Sequence, residues 1–219
     1  LFEIRELIKH AAFPQDIINQ VLMALVSNNL QLAEGVAVRS SSSYEDSMTS
    51  AYAGTFSTEL YITNKEQLIQ AIKNVWASGF SEVVLYNHLA SSLILGIPVI
   101  IQQMTTCQYH GVLFTKNPAN ETAQEMLLEL STEVKGIVEG STPFLRKTLP
   151  ATGDLSSDDN WNGLEKELLK LRDFALQLVE KAQTEVDLEL GIEQDKLIIL
   201  QCRPISTLLR PADYRIVDK

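Results

Sequence analysis

Apolar positions along the chain recur with two periods, and each period predicts a set of elements. After Pro14, the residues Ile17, Ile18, Val21, Leu22 and Leu25 follow the helical repeat, which predicts a helix with that stripe in a core. Lys9 falls in an amphipathic helix before it. Asn64 and Gln67 form a capping-box-like start ahead of Leu68, Ile72, Val75 and Trp76, so Trp76 is read as packing between helix and sheet rather than as a base-stacking platform. A further helix is expected after Ser81. Pro98 to Met104 reads as a buried strand and Tyr109 to Thr115 as its neighbour, with Gly111 where the backbone passes something closely and Asn117-Pro118 ending the pair. An irregular connector follows, carrying Pro143, Pro150, Gly153 and the run Ser156-Ser157-Asp158-Asp159. A long helix then places Leu164, Leu168, Leu171, Ala175, Leu178 and Ala182 on one face.

The period changes to two near the C-terminus. Val186-Asp187-Leu188-Glu189-Leu190 and the run from Lys196 to Arg203 predict two strands, joined by a polar turn that opens with Gly191. Strand side chains alternate between faces, so Asp187 shares a face with Glu189, and Gln201 shares one with Arg203. If those faces coincide, two carboxylates, an amide oxygen and a guanidinium converge. Hard oxygen donors of that kind suit Mg²⁺, which keeps phosphates and water in its shell, while Arg offers a planar fork to phosphate oxygens. Taken alone, the pattern is better read as an amphipathic hairpin with a solvated outer face. Far upstream, Val36-Ala37-Val38-Arg39 reads as a strand that opens into Ser40-Ser41-Ser42-Ser43 and runs on to Gly54, a loop whose amides and hydroxyls could close over phosphates. Taken alone, this is also a strand followed by a flexible polar spacer.

Three blocks in register favour the chemical readings. AVRSSSSYEDSMTSAYAGTF, then IIQQMTTCQYHGVLFTKNP at 100–118, then VDLELGIEQDKLIILQCRP at 186–204 together resemble the nucleotide-binding domain of the phosphoenolpyruvate synthase, pyruvate phosphate dikinase and rifampin phosphotransferase family. The resemblance covers nearly the whole chain. It implies an α+β, ATP-grasp-type nucleotide-binding domain over 1–219, with a mixed or antiparallel sheet, flanking helices and an incomplete N-terminal lobe. It also implies ATP and Mg²⁺ as cofactors. Carried over by motif, Arg39 would contact phosphate, Gly54 and Thr58 would belong to the phosphate-covering loop, and Gln102 would lie by the adenine. Glu189 and Gln201 would hold the metal with Asp187 as a helper, and Arg203 would face the phosphates. The implied activity is that of a kinase with paired acceptors, pyruvate and water. A phosphoryl group would pass to a carrier His on a separate swivelling domain, then to pyruvate or another small acceptor bound on a further domain. A rifampin-phosphotransferase-like antibiotic kinase and a degenerate, non-catalytic nucleotide-binding module are the alternatives.

Two departures from the family stand out. Relatives carry a glycine-flanked Lys in an N-terminal lobe, and nothing before Arg39 resembles it. Where relatives have a Trp-Gly-Leu-Gly-Glu-like string, the segment from Glu129 to Gly140 is poorer in glycine. The chain begins with Leu1, so it is expected to be a fragment, inactive by itself and lacking both the Lys-bearing lobe and the swivelling His domain.

Composition narrows the class without selecting the family. A chain of 219 residues with 45% hydrophobic content can bury one sizeable core or two modest lobes. The net charge of −10 argues against nucleic-acid or anionic-membrane binding. Cys107 and Cys202 have no metal or disulfide spacing and suit a reducing, cytoplasmic setting. The apolar stretch around Leu93–Ile101 is far shorter than the ~20 residues of a membrane span. No GxxxxGK[ST] or GxGxxG occurs, which excludes a P-loop or dinucleotide fingerprint. His10, His88 and His110 lack a glycine-rich helix-start context, so none is expected to carry phosphate.

Overall fold

In the computed structural model, the described residues are 1–41, 56–82, 84, 97–118, 120, 125–132, 145–155, 161, 163–194 and 196–205. Gly54, His88, half of the serine run and most of the helix expected after Ser81 lie outside them. The described residues divide into two compact units, one up to Met104 and one from Thr105 onward.

The first unit contains α1 (Phe2–His10), α2 (Gln15–Ser27), β1 (Val36–Ser40), β2 (Thr58–Ile62), α3 (Lys65–Ser78) and β3 (Val99–Gln103). Its sheet has the order β2-β1-β3, with both pairings antiparallel. α3 begins where the sequence places it. The Asn64 side chain accepts a bond from the Gln67 amide at 2.9 Å, while the Gln67 side chain reaches back to the Thr63 amide, one residue before the usual partner. The apolar positions of α3 at Leu68, Ala71, Ile72 and Val75 meet Val36 and Val38 of β1, Ile62 of β2, and Ile18 and Leu25 of α2 in one core. Trp76 is a packing residue, as expected: its ring stacks on Phe13 with centroids 5.8 Å apart, and its Nε1 donates to the Ile97 carbonyl. The stripe on α2 is only partly core, since Ile17 stays exposed.

The second unit contains β4 (Tyr109–Phe114), β5 (Glu125–Ser131), β6 (Leu145–Pro150), α4 (Glu165–Ala182), β7 (Val186–Glu193) and β8 (Lys196–Pro204). Its antiparallel sheet has the order β6-β5-β4-β7-β8. α4 lays Leu168, Leu171 and Ala175 on Leu113, Leu128, Leu130, Leu188, Leu190 and Ile192, closing one face of the sheet. Trp161 and Leu164 join the same core.

Three expectations need correction. β4 is not a neighbour of β3: among the described residues β3 pairs with β1, and β4 sits between β5 and β7. Consecutive strands usually pair, but here the chain passes from one unit to the next between Met104 and Thr105. The connector after Asn117 holds two strands, β5 and β6, rather than irregular chain alone. Pro150 is compatible with β6 because it ends an edge strand, where a missing amide donor breaks no interior ladder bond. Gly191 lies within β7, which continues to Glu193, and the positive φ of the turn falls on Gln194 instead. Gly191 is needed for close approach, since a β-carbon there would collide with the Cys107 side chain.

Candidate functional site

In the first unit, β1 alternates so that Val36 and Val38 enter the core while Ala37 and Arg39 take the other face. Arg39 is directly opposite Thr58 on β2 and Ile100 on β3, and Ala37 is opposite Gln102. Residues opposite each other in an antiparallel pair project to the same side. Arg39, Thr58 and Gln102 therefore share the open face of one small sheet, together with the exposed Ile100. Gly54, expected to join this set, lies outside the described residues. Lys9 gives no sign of phosphate work, since it pairs with Glu6 on its own helix at 3.1 Å.

In the second unit, Asp187 is opposite Arg203, and Glu189 is opposite Gln201, so the two faces proposed from alternation are one face. Between Glu189 and Leu190 the register shifts, because Leu190 pairs with Ile199 and leaves Leu200 as an extra residue on β8. The bulge preserves both halves of the hairpin: Leu188 and Leu190 stay in the core while Gln201 and Arg203 keep their side opposite the acids. Arg203 binds both carboxylates. Its Nε is 3.2 Å from Asp187 Oδ1, and its Nη2 is 3.1 Å from Glu189 Oε1. All three side chains are largely shielded, at 16% exposure for Arg203, 19% for Asp187 and 25% for Glu189. Two carboxylates two residues apart on one strand repel each other, and a guanidinium that cannot deprotonate is the group that makes their burial tolerable.

The start of β7 is fixed by Thr115 at the end of β4. Its hydroxyl donates to the Glu185 carboxylate at 2.7 Å and accepts from the Val186 amide at 2.8 Å. That latch sets the register one residue before Asp187. Asn117 closes the β4–β5 turn through its side-chain bond to Glu125 at 2.8 Å.

Sequence reasoning missed a second charged pair on the same face. Glu129 on β5 and Glu189 on β7 are both opposite Val112, and Glu129 binds Arg146 of β6 at 3.0 Å. A row of Arg146, Glu129, Val112, Glu189 and Gln201 thus crosses all five strands. The available signal was a carboxylate interrupting the apolar run Met126-Leu127-Leu128 and Leu130, which marks a strand with one polar position. With two strand spacings between them, the Glu129 and Glu189 backbones lie ~10 Å apart, and each carboxylate pairs with its own arginine, Arg146 or Arg203. Among the described residues, no group of three or more His, Cys, Asp and Glu side chains is placed to hold a metal. Asp187 and Glu189 provide two carboxylates, with Gln201 opposite Glu189 as the third oxygen donor. That set fits Mg²⁺ only if phosphates and water complete the shell.

The other titratable groups nearby are poor candidates for proton or covalent chemistry. Burial holds the His110 imidazole below its usual range, against a smaller upward pull from its bond to the Cys107 backbone. Burial pushes the Cys202 thiol up, with the Asp187 charge adding to the effect, and burial also raises Cys107. Both cysteines are free, and both favour the protonated form. No described helix is long and apolar enough to cross a membrane.

Comparison with known proteins gives these arrangements a context. The chain is 25% identical to the prodigiosin synthesizing transferase PigC of Serratia marcescens, over 95% of this chain and 26% of that protein. It is 24% identical to a probable phosphoenolpyruvate synthase of Methanocaldococcus jannaschii, over 94% of this chain and 20% of that one. It is 26% identical to the rifampicin phosphotransferase of Bacillus subtilis, over 94% of this chain and 27% of the relative. The chain thus spans about a quarter of the length of these proteins. Among solved structures, C-terminally truncated Cdc123 from Schizosaccharomyces pombe aligns with 91% of this chain and 73% of its own at 13% identity, but a TM-score of 0.37 carries no fold assignment. Residues 2–152 match the family described as the pyruvate phosphate dikinase AMP/ATP-binding domain, and the chain belongs to that family.

Proposed function

We propose that this chain is the MgATP-binding part of a dikinase-type phosphotransferase with an ATP-grasp-type arrangement, and that the β7–β8 face is where the phosphates are handled. The observation that carries the reading is the placement of Asp187, Glu189, Gln201 and Arg203 side by side on one face, with Arg203 in contact with both acids. Glu189 and Gln201 would hold Mg²⁺ with help from Asp187, and the ion would offset negative charge on the phosphates as they separate. Arg203 would donate to phosphate oxygens through its planar fork. Arg39 would make a second phosphate contact, Thr58 and Gly54 would close over the phosphates, and Gln102 would take the adenine edge. Positioning and charge neutralisation are the main needs of phosphoryl transfer, and none of these roles requires a nucleophile from this chain.

The phosphoryl group would then pass to a carrier His on another domain of the same protein, and from there to pyruvate or another small acceptor. His110 is buried in β4, which keeps its ring from a phosphoryl donor, and His10 lies on α1 beside Glu6 without the glycine-rich helix start of a carrier. The names of the relatives favour keeping an antibiotic acceptor open beside pyruvate, since a rifampicin phosphotransferase matches as well as a phosphoenolpyruvate synthase. A non-catalytic module would need Arg203 and its acids only as a structural ion pair. The test is incubation of this chain with β- and γ-labelled ATP. No label should remain on protein after denaturation, whereas stable label on His10, His88 or His110 would place the carrier here and overturn the assignment.

A further inference from the structure

Resting on the metal-ligand reading above, we propose that Arg203 stands in for the metal when no nucleotide is bound, so that a divalent cation enters this site only together with ATP phosphates. The guanidinium contacts the same two carboxylates that would bind the ion, at 3.2 Å and 3.1 Å. All three groups are at least three-quarters shielded from water, which strengthens both their attraction and the repulsion felt by any added cation. A lone Mg²⁺ would have to displace a permanently charged group from two carboxylates it contacts on a partly buried strand face. A cation arriving with phosphates meets a different balance. The phosphate oxygens offer the displaced guanidinium a planar, bidentate site of the same kind, so its N–H bonds are exchanged rather than lost. Arg203 would then swing from the acids to the phosphates, and a single residue would both exclude free metal and recognise the nucleotide. The position of Arg203 directly opposite Asp187 and diagonal to Glu189 allows that exchange by side-chain rotation alone, with the strand register unchanged.

Binding of Mn²⁺, followed by loss of its free-ion electron paramagnetic resonance signal, gives a readout independent of turnover. For the parent protein, Mn²⁺ alone should bind weakly and Mn²⁺ with a non-hydrolysable ATP analogue should bind well. Arg203→Met should take up Mn²⁺ without nucleotide about tenfold more tightly than the parent, because the competing charge is gone. Adding Glu189→Gln to that variant should remove the gain. Arg203→Lys, which keeps a cation but not the fork, should give a smaller gain and serves if Met is not tolerated by the fold. Equal nucleotide-free affinity in the parent and both Arg203 variants, with Glu189→Gln still weakening binding, would overturn the exclusion by Arg203 while leaving the ligands standing. No dependence on Glu189 in any state would instead remove the metal-ligand reading itself.

Discussion

The two units solve the same architectural problem and leave different surfaces. Each is an antiparallel sheet with helices packed on one side, and each carries residues expected to meet nucleotide on the other. On the three-stranded sheet that open face carries Arg39, Thr58, Gln102 and an Ile100 that is 43% exposed. Among the described residues it is mostly neutral, with a hydroxyl, an amide and apolar area around the Arg39 guanidinium. On the five-stranded sheet the open face is crowded with charge, in two sets of acids held by Arg203 and Arg146. A neutral face with an amide suits a base and its hydrogen-bonding edge, whereas a face of compensated charges suits a metal ion and phosphates. The lesson concerns what holds each face ready. Packing lies beneath both, and on the second Arg203 also binds two acids across the face.

The largest expected effects therefore come from the layer under each face. Leu188 is fully buried between Asp187 and Glu189 in sequence, and Leu188→Ala should cost about 2–5 kcal/mol by leaving a cavity under the acids. Val38→Ala, under Arg39, removes a smaller side chain and should cost about 1–3 kcal/mol. Chemical denaturation of the two variants measures both, and a Val38 loss exceeding that at Leu188 would reverse the comparison.

The arginines sharpen it further. Arg203→Ala should lower stability without ligand by about 1–3 kcal/mol, between the values for exposed and fully buried pairs, because two shielded carboxylates lose their cation. Arg39 is also partly buried, and Arg39→Ala should cost about 1–3 kcal/mol. Both should lose most of the rise in melting temperature that MgATP gives the parent, since a ligand stabilises in proportion to its occupancy of the folded state. Thermal scans with and without MgATP check this. Arg203 variants that melt like the parent without ligand would show that the acids do not depend on that cation.

The smallest effect is a dependence on pH in the second unit. His110 is held below its ordinary range by burial, so the unfolded chain binds a proton more readily than the folded one. Its contribution is fully present above the unfolded value of about 6.5 and is lost as pH falls below it toward the folded value. His110→Gln should flatten the fall in melting temperature between pH 7 and pH 5, and an unchanged slope would assign that fall to other groups.

Much of this arrangement was legible in the sequence where side-chain alternation alone determines the answer. The pairing of Asp187 and Glu189 with Gln201 and Arg203 required only strand parity and a connection that returns the chain, while α3 announced itself by spacing and cap and α4 by spacing. What escaped depended on partners distant in sequence. Nothing in Val99–Gln103 or Tyr109–Phe114 says that these strands belong to different sheets. β2 was hidden because it is short and irregular, with a register shift against β1 and a positive φ at Tyr61. Glu129 and Arg146 became visible as a pair only once β5 and β6 were seen side by side.

The central claim is that Glu189 is a metal ligand for bound nucleotide rather than only a partner for Arg203. Calorimetric titration with MgATP of the parent, Glu189→Gln and Glu129→Gln addresses it most directly. Glu129 shares the face and also pairs with an arginine, so its variant controls for the loss of a surface charge. MgATP should bind Glu189→Gln at least about tenfold more weakly than the parent, because too few protein oxygens remain on the ion, while Glu129→Gln should bind as the parent does. A folded Glu189→Gln with the parent's affinity for MgATP would contradict the account.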